Sequence, residues 1–221
     1  MNKSPASFID NTLLRADATD KSIRRLCREA LDFGFVSVCV PPVHVPLAVD
    51  ILSGSAVAVG SVVGFPLGYV TPASKAFEAE KLLQAGADEI DMVINIYFAL
   101  EKRFGEIGRE IRQVVDASAG ALVKVILECC YLENQTKEVL TKLAIEAGAS
   151  FVKTSTGFGP GGATLEDVRL LVRAAAGRAG VKAAGGIRSW KNCHTFLEAG
   201  ATRIGTSNGT AIMKEWQGEM D

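Results

Sequence analysis

Two histidines, five cysteines and no CxxC pair leave little to bind a metal or to staple a fold in this chain of 221 residues. His44 and His194 stand far apart, with no carboxylate or thiolate at ligand spacing, which argues against a histidine-based zinc site and for metal-free chemistry. The cysteines (Cys27, Cys39, Cys129, Cys130, Cys193) are odd in number, and the opening MNKSPASFID lacks the apolar run of a secretory signal. Both point to a reducing cytoplasm. Long apolar runs are missing as well: AVAVGSVVGF is about half of the roughly 20 residues that a membrane-spanning helix needs. With a net charge of −1 and 22% charged residues, neither sign is in excess, so no footprint for nucleic acid or an anionic membrane stands out. A small, diffusible molecule is the expected partner.

What is present is a recurring pattern. LLQAGADEIDMVIN, AIEAGASFVKTS and FLEAGATRIGTS each run from an amphipathic stretch through Ala-Gly-Ala into a short apolar strand, and ALDFGFVSVCV is a looser copy. Glycine takes the left-handed position that ends a helix, and the β-branched run that follows suits a strand. Strands that are apolar throughout and alternate with helices indicate a parallel sheet covered on both faces. Seven such strands read as 36–40, 57–65, 89–95, 122–128, 151–155, 181–185 and 203–207, and an eighth, SFID at 7–10, is added because eight closes a barrel. Helices are expected at about 20–33, 72–85, 98–117, 134–147, 165–176, 189–199 and 208–216. The competing doubly wound sheet usually carries GxGxxG after its first strand, and that signature is absent. The expected fold is therefore a single-domain (β/α)8 TIM barrel over 1–221, with a short N-terminal extension at 1–6 and no linker or low-complexity break.

Barrel chemistry sits at the C-terminal ends of the strands, so polar residues on apolar strands matter. FVKTSTGFGPGG carries Lys153 and VKAAGGIRS carries Lys182. Either each lysine reaches solvent along its stem, or it is a buried amine. Two lysines at one barrel mouth disfavour each other's charge and burial acts the same way, which predicts lowered pKa values and a nucleophilic amine. Asp91 in DEIDMVIN is too costly to bury alone; its reading is split between a partner for these lysines and a structural pairing with Lys124 or a backbone amide. Lys124 and Glu128 share a face of LVKVILE, and Lys124, early in its strand, reads as a supporting residue in an internal ion pair, whereas Asp88 and Glu89 read as ordinary turn and strand-start residues. Cys39, at the end of VSVCV, reads by default as a small buried thiol, and His44 and His194 as loop or surface residues.

Glycine clusters in STGFGPGG, AAGGIRS and IGTSNG follow three successive strands, where backbone N–H groups can approach an anion closely. In barrels the phosphate site is usually built by the last two strand-helix loops, here GGIRS and GTSNG, and Ser207 and Asn208 can add side-chain donors.

FVKTSTGF, GADEIDMVIN, VKVILE, KAAGGIRS and IGTSNG, in this order and spacing, resemble the deoxyribose-phosphate aldolase family from IDNTLL to IGTSNG, nearly the whole chain. The resemblance implies a class I aldolase without cofactor or metal that interconverts 2-deoxy-D-ribose 5-phosphate with acetaldehyde and D-glyceraldehyde 3-phosphate, and a homo-oligomer, a dimer or higher. It further implies Lys153 as the Schiff-base lysine, Lys182 as the lysine that perturbs it and shares proton transfer, Asp91 as proton donor or acceptor, and Gly157, Gly185, Gly186, Gly205 and Ser207 as phosphate contacts. Asp10 of the family opening is retained, while Asn11, Arg15, Ala16 and Asn208 depart from the usual residues, as does VCVPP after the second strand. Two other readings share these residues: a Schiff-base aldolase or transaldolase for a different sugar phosphate, and a phosphosugar-binding barrel without turnover.

Overall fold

The structure, a computed structural model, describes residues 4–218. In chain order its strands are β1 (Ile9–Thr12), β2 (Ser37–Cys39), β3 (Ala58–Val63), β4 (Glu89–Val93), β5 (Leu122–Ile126), β6 (Phe151–Lys153), β7 (Gly180–Ala184) and β8 (Arg203–Thr206). Each is parallel to the next, and β8 returns to β1 with Ile204 opposite Ile9, so the sheet closes into a barrel. The helices are α1 (Asp20–Phe33), α2 (Val45–Leu52), α3 (Pro72–Gln84), α4 (Ile96–Leu100), α5 (Phe104–Ala117), α6 (Asn134–Glu146), α7 (Leu165–Ala175), α8 (Trp190–Glu198) and α9 (Gly209–Gly218). They wrap the sheet and bury one face each against strands whose outward residues, such as Ile90, Met92, Val152 and Ile204, are solvent-free. The (β/α)8 fold expected from the strand count is the fold observed.

The Ala-Gly-Ala repeat has the backbone its chemistry requires. Gly86, Gly148 and Gly200 take φ of 98°, 97° and 101°, and a Cβ on any of them would press to 3.1 Å of Val49, Val115 or Val172. Only glycine both ends the helix there and lets the next strand start against the helix layer.

Three expectations are corrected. The first strand is Ile9–Thr12, because Ser7 and Phe8 belong to a 3-10 turn, Pro5–Phe8, whose Ala6 is buried and accepts a hydrogen bond from Val36 N; of the extension placed at 1–6, residues 1–3 lie outside the described part. The single helix expected at 98–117 is two, because Lys102 turns left-handed (φ 55°) and Arg103 stacks 4.5 Å from the Phe98 ring while bonding Glu106 at 2.9 Å. Helix α2 was not anticipated; its Pro46 sits in the first turn, where no N–H is needed.

A buried ion pair braces the strand that carries Asp91. Lys75 of α3 donates to Glu110 Oε1 of α5 at 2.6 Å and to Val93 O at 2.7 Å, and the second Glu110 oxygen accepts from Asn95 N at 2.9 Å. Burial raises the Glu110 carboxyl and lowers the Lys75 ammonium, each offset by the other's charge. Glu110→Leu would strand that ammonium, so a loss of about 3–5 kcal/mol is expected, seen as a fall of about 10 °C in Tm. Adding Lys75→Met should recover most of it; a double variant as unstable as the single would show that the pair's charges are not the cause.

Candidate active site

Strand alternation brings seven ionisable side chains from six strands into the barrel interior. Asp91 of β4 is fully buried and lies at the centre: its Oδ2 accepts from Lys153 at 2.8 Å and from Lys182 at 2.7 Å, and its Oδ1 accepts from Lys124 at 2.7 Å. Lys182 of β7 also contacts Asp10 Oδ2 of β1 at 2.5 Å. Lys124 of β5 donates to Glu89 at 2.7 Å, and Arg203 of β8 bonds Glu89 at 2.6 Å and Asp10. The register makes this compact, with Asp91 opposite Lys124, Lys153 opposite Lys182 and Lys182 opposite Arg203.

The two lysines differ in charge state. Lys153 is lowered, by burial first and by the neighbouring Lys182 ammonium, against the pull of Asp91. For Lys182 the sequence-based expectation of a lowered value is corrected: burial does push it down, but the Asp10 and Asp91 carboxylates outweigh burial and it is raised. Burial raises Asp91, and Lys124, Lys153 and Lys182 together hold it well below the usual carboxylate range. One lowered amine thus stands beside one firmly protonated ammonium, bridged by a carboxylate.

Lys153 closes its strand and reaches a cavity of about 320 Å³, whose wall includes Gly157, Gly185, Gly186, Gly205, Ser207 and Asn208. All six candidate anion-binding residues therefore surround one space. Gly157 and Gly185 take φ of 84° and 97°, and a Cβ on Gly185 would lie 2.9 Å from Gly162 Cα, so the loops after β6 and β7 touch backbone to backbone. Asn208 N donates to Thr206 Oγ1 at 2.9 Å, and Asn208 Oδ1 lies 3.2 Å from Ser207 Oγ.

The sequence reading missed several residues. Arg188 lines the cavity directly after Gly-Gly-Ile, where an arginine in a strand-end loop was itself a signal. Arg15 lines it too, clasping Asp17 at 2.6 and 2.8 Å. Asn11, the other departure at the first strand, points elsewhere: its Oδ1 packs at Gly209, away from the cavity. Glu89 is not an ordinary strand-start residue but a buried partner of Lys124 and Arg203. Glu128 does not share a face with Lys124, because β5 ends at Ile126 and Glu128 turns left-handed (φ 53°) to accept hydrogen bonds from Thr156. Cys39 is buried and its thiol is pushed up to about 11, chiefly by burial, which leaves it unreactive. His44 and His194 lie outside the cavity, and among the described residues no cluster of three or more His, Cys, Asp or Glu is placed to hold a metal, nor is any helix long and apolar enough to cross a membrane.

A family model described as DeoC/LacD family aldolase matches residues 6–215. The chain belongs to this family. It is 56% identical over 215 residues to the deoxyribose-phosphate aldolase of Syntrophotalea carbinolica, covering 97% of each chain, and 51% identical over 213 residues to that of Carboxydothermus hydrogenoformans, covering 95% of this chain and 93% of the relative. The tetrameric deoxyribose phosphate aldolase of Aeropyrum pernix has a TM-score of 0.90 at 36% identity, covering 96% of this chain and 91% of that one. Membership makes the chain an aldolase, a carbon–carbon lyase, and turns the buried amine beside the cavity from an oddity of packing into a feature of an enzyme.

Proposed function

We propose that the enzyme cleaves 2-deoxy-D-ribose 5-phosphate reversibly to acetaldehyde and D-glyceraldehyde 3-phosphate through a Schiff base on Lys153. The observation that carries this reading is that Lys153 is the single lysine of the buried cluster that reaches the cavity, and that its ammonium is disfavoured. A neutral amine adds to the C1 aldehyde, and loss of water leaves a protonated imine. The C3 hydroxyl gives its proton to the Asp91 carboxylate as the C2–C3 bond breaks, and the electrons of that bond flow into the imine to give an enamine and release glyceraldehyde 3-phosphate. Protonation and hydrolysis of the enamine release acetaldehyde and restore the amine. Asp91, 2.8 Å from Lys153 and 2.7 Å from Lys182, takes the hydroxyl proton and returns it to the enamine, and the Lys182 ammonium beside it stabilises the carboxylate between transfers.

The phosphate is held by Gly157, Gly185, Gly186, Gly205, Ser207 and the Asn208 side chain, which places C1 at the amine. The names of the curated relatives support this substrate, and the Aeropyrum pernix tetramer supports a homo-oligomer. Incubation with acetaldehyde and a mild imine-reducing agent, followed by intact mass and peptide mapping, tests the mechanism. One reduced ethyl adduct on Lys153 is expected; adducts scattered over surface lysines would overturn it.

Gly185→Ala tests the phosphate loops. A side chain at φ 97° that also meets Gly162 Cα costs at least about 1–2 kcal/mol, so KM for the phosphorylated sugar should rise by about tenfold. Unphosphorylated 2-deoxy-D-ribose should be affected less, and equal losses on both sugars would place the phosphate elsewhere.

A further inference from the structure

Three carboxylates, Asp10, Glu89 and Asp91, meet four basic side chains, Lys124, Lys153, Lys182 and Arg203, inside the barrel. One cation is in excess, and in a desolvated space the relief is for one base to lose its proton. Arg203 is the base that does not deprotonate. Lys124 touches Asp10, Glu89 and Asp91, and Lys182 touches Asp10 and Asp91, whereas Lys153 has a single contact, Asp91 Oδ2, and shares it with Lys182.

We propose that Arg203 is a positioning residue for the reaction: by engaging Asp10 and Glu89 at the base of the barrel, it leaves Lys153 as the amine that the carboxylates cannot satisfy. This rests on the reading of Lys153 as the imine-forming lysine. Arg203 opens β8, does not line the cavity, and is fixed by Ser37 Oγ at 3.5 Å and by the Phe151 ring at 5.5 Å, on the strand that ends in Lys153. It therefore acts only through its neighbours. Facing Lys153 around the barrel are Asp10 on β1, Cys39 on β2, Glu89 and Asp91 on β4, Lys124 on β5 with Glu128 after it, Lys182 on β7 and Arg203 on β8; β3 contributes the uncharged Val62, opposite Asp91. Glu89 is the opposite lever on the same balance, since it bonds both Arg203 and Lys124.

The test is the pH dependence of imine trapping by acetaldehyde with a reducing agent, read by mass on Lys153 in the full-length chain. Arg203→Met removes one cation, so the ammonium of Lys153 should persist to higher pH and the rising limb should move up by about one unit or more, with about tenfold less trapping at neutral pH. Glu89→Gln should move the limb down, and the double variant Glu89→Gln/Arg203→Met should bring it back to the wild-type position. Trapping by Arg203→Met on an unmoved limb overturns the proposal. Should Arg203→Met not fold, the other two variants decide: a limb unmoved or raised in Glu89→Gln overturns it equally. No adduct on Lys153 in the wild-type chain would overturn the underlying reading, whereas a wild-type adduct with unmoved limbs in the variants would overturn this proposal alone.

Discussion

Lys153→Ala is expected to lower turnover by on the order of 10⁴-fold or more while leaving the fold in place. Imine formation needs an amine at the cavity, and no other lysine of the buried cluster lines it. Lys182 is opposite Lys153 in the strand register, but it is fully buried, paired to Asp10 and Asp91, and held protonated, so it does not substitute. Stability should survive because Asp91 keeps Lys124 and Lys182 when Lys153 is gone, and the variant loses a base whose charge burial already disfavours. Steady-state cleavage assays alongside a thermal melt separate the two effects. Substantial turnover in a folded Lys153→Ala chain would end the Schiff-base reading, and Lys153→Arg should be as inactive as the alanine variant, since a guanidinium keeps its proton.

The strands were legible because a parallel strand buried on both faces must be apolar throughout, and a polar residue within one then stands out. Lys153, Lys182 and Asp91 were found in that way, and the structure joins all three at a single carboxylate oxygen. Glu89 and Arg203 were not found, since both open their strands, where a charge looks like the edge of a loop. What makes them interior is the tilt and closure of the barrel, which is a property of eight strands together. The pKa of Lys182 was misread for a similar reason. Two lysines were weighed against each other and against burial, but Asp10 lies on the first strand, more than 170 positions away in the chain, and becomes a neighbour only when β8 pairs with β1. The cavity loops proposed to hold the phosphate were legible in their glycines, and less so in Arg15 and Arg188, which carry no local pattern beyond proximity to a strand end.

Asp91→Asn is expected to be the variant that damages both stability and chemistry. The amide keeps the shape of the carboxylate, so no cavity opens, but three lysines lose the anion they share. Breaking a buried ion pair from one side costs about 3–5 kcal/mol, which predicts a fall in Tm of about 10 °C together with loss of turnover. The sign of its pH dependence follows from the charges left behind. With Asp91 neutral, the lysines that it touches have lower folded pKa values than in the wild-type chain, where Lys153 is already lowered while Lys124 and Lys182 are raised, so the folded variant binds fewer protons than the folded wild type as the pH approaches the unfolded lysine value of about 10.4. Stability of the variant relative to wild type should therefore recover as the pH rises from 7 toward that value. Melting curves for both chains at neutral and alkaline pH measure this difference. A deficit that stays constant with pH would mean that Asp91 stabilises through hydrogen bonds alone, and that the excess positive charge in the barrel is not what keeps Lys153 ready to react.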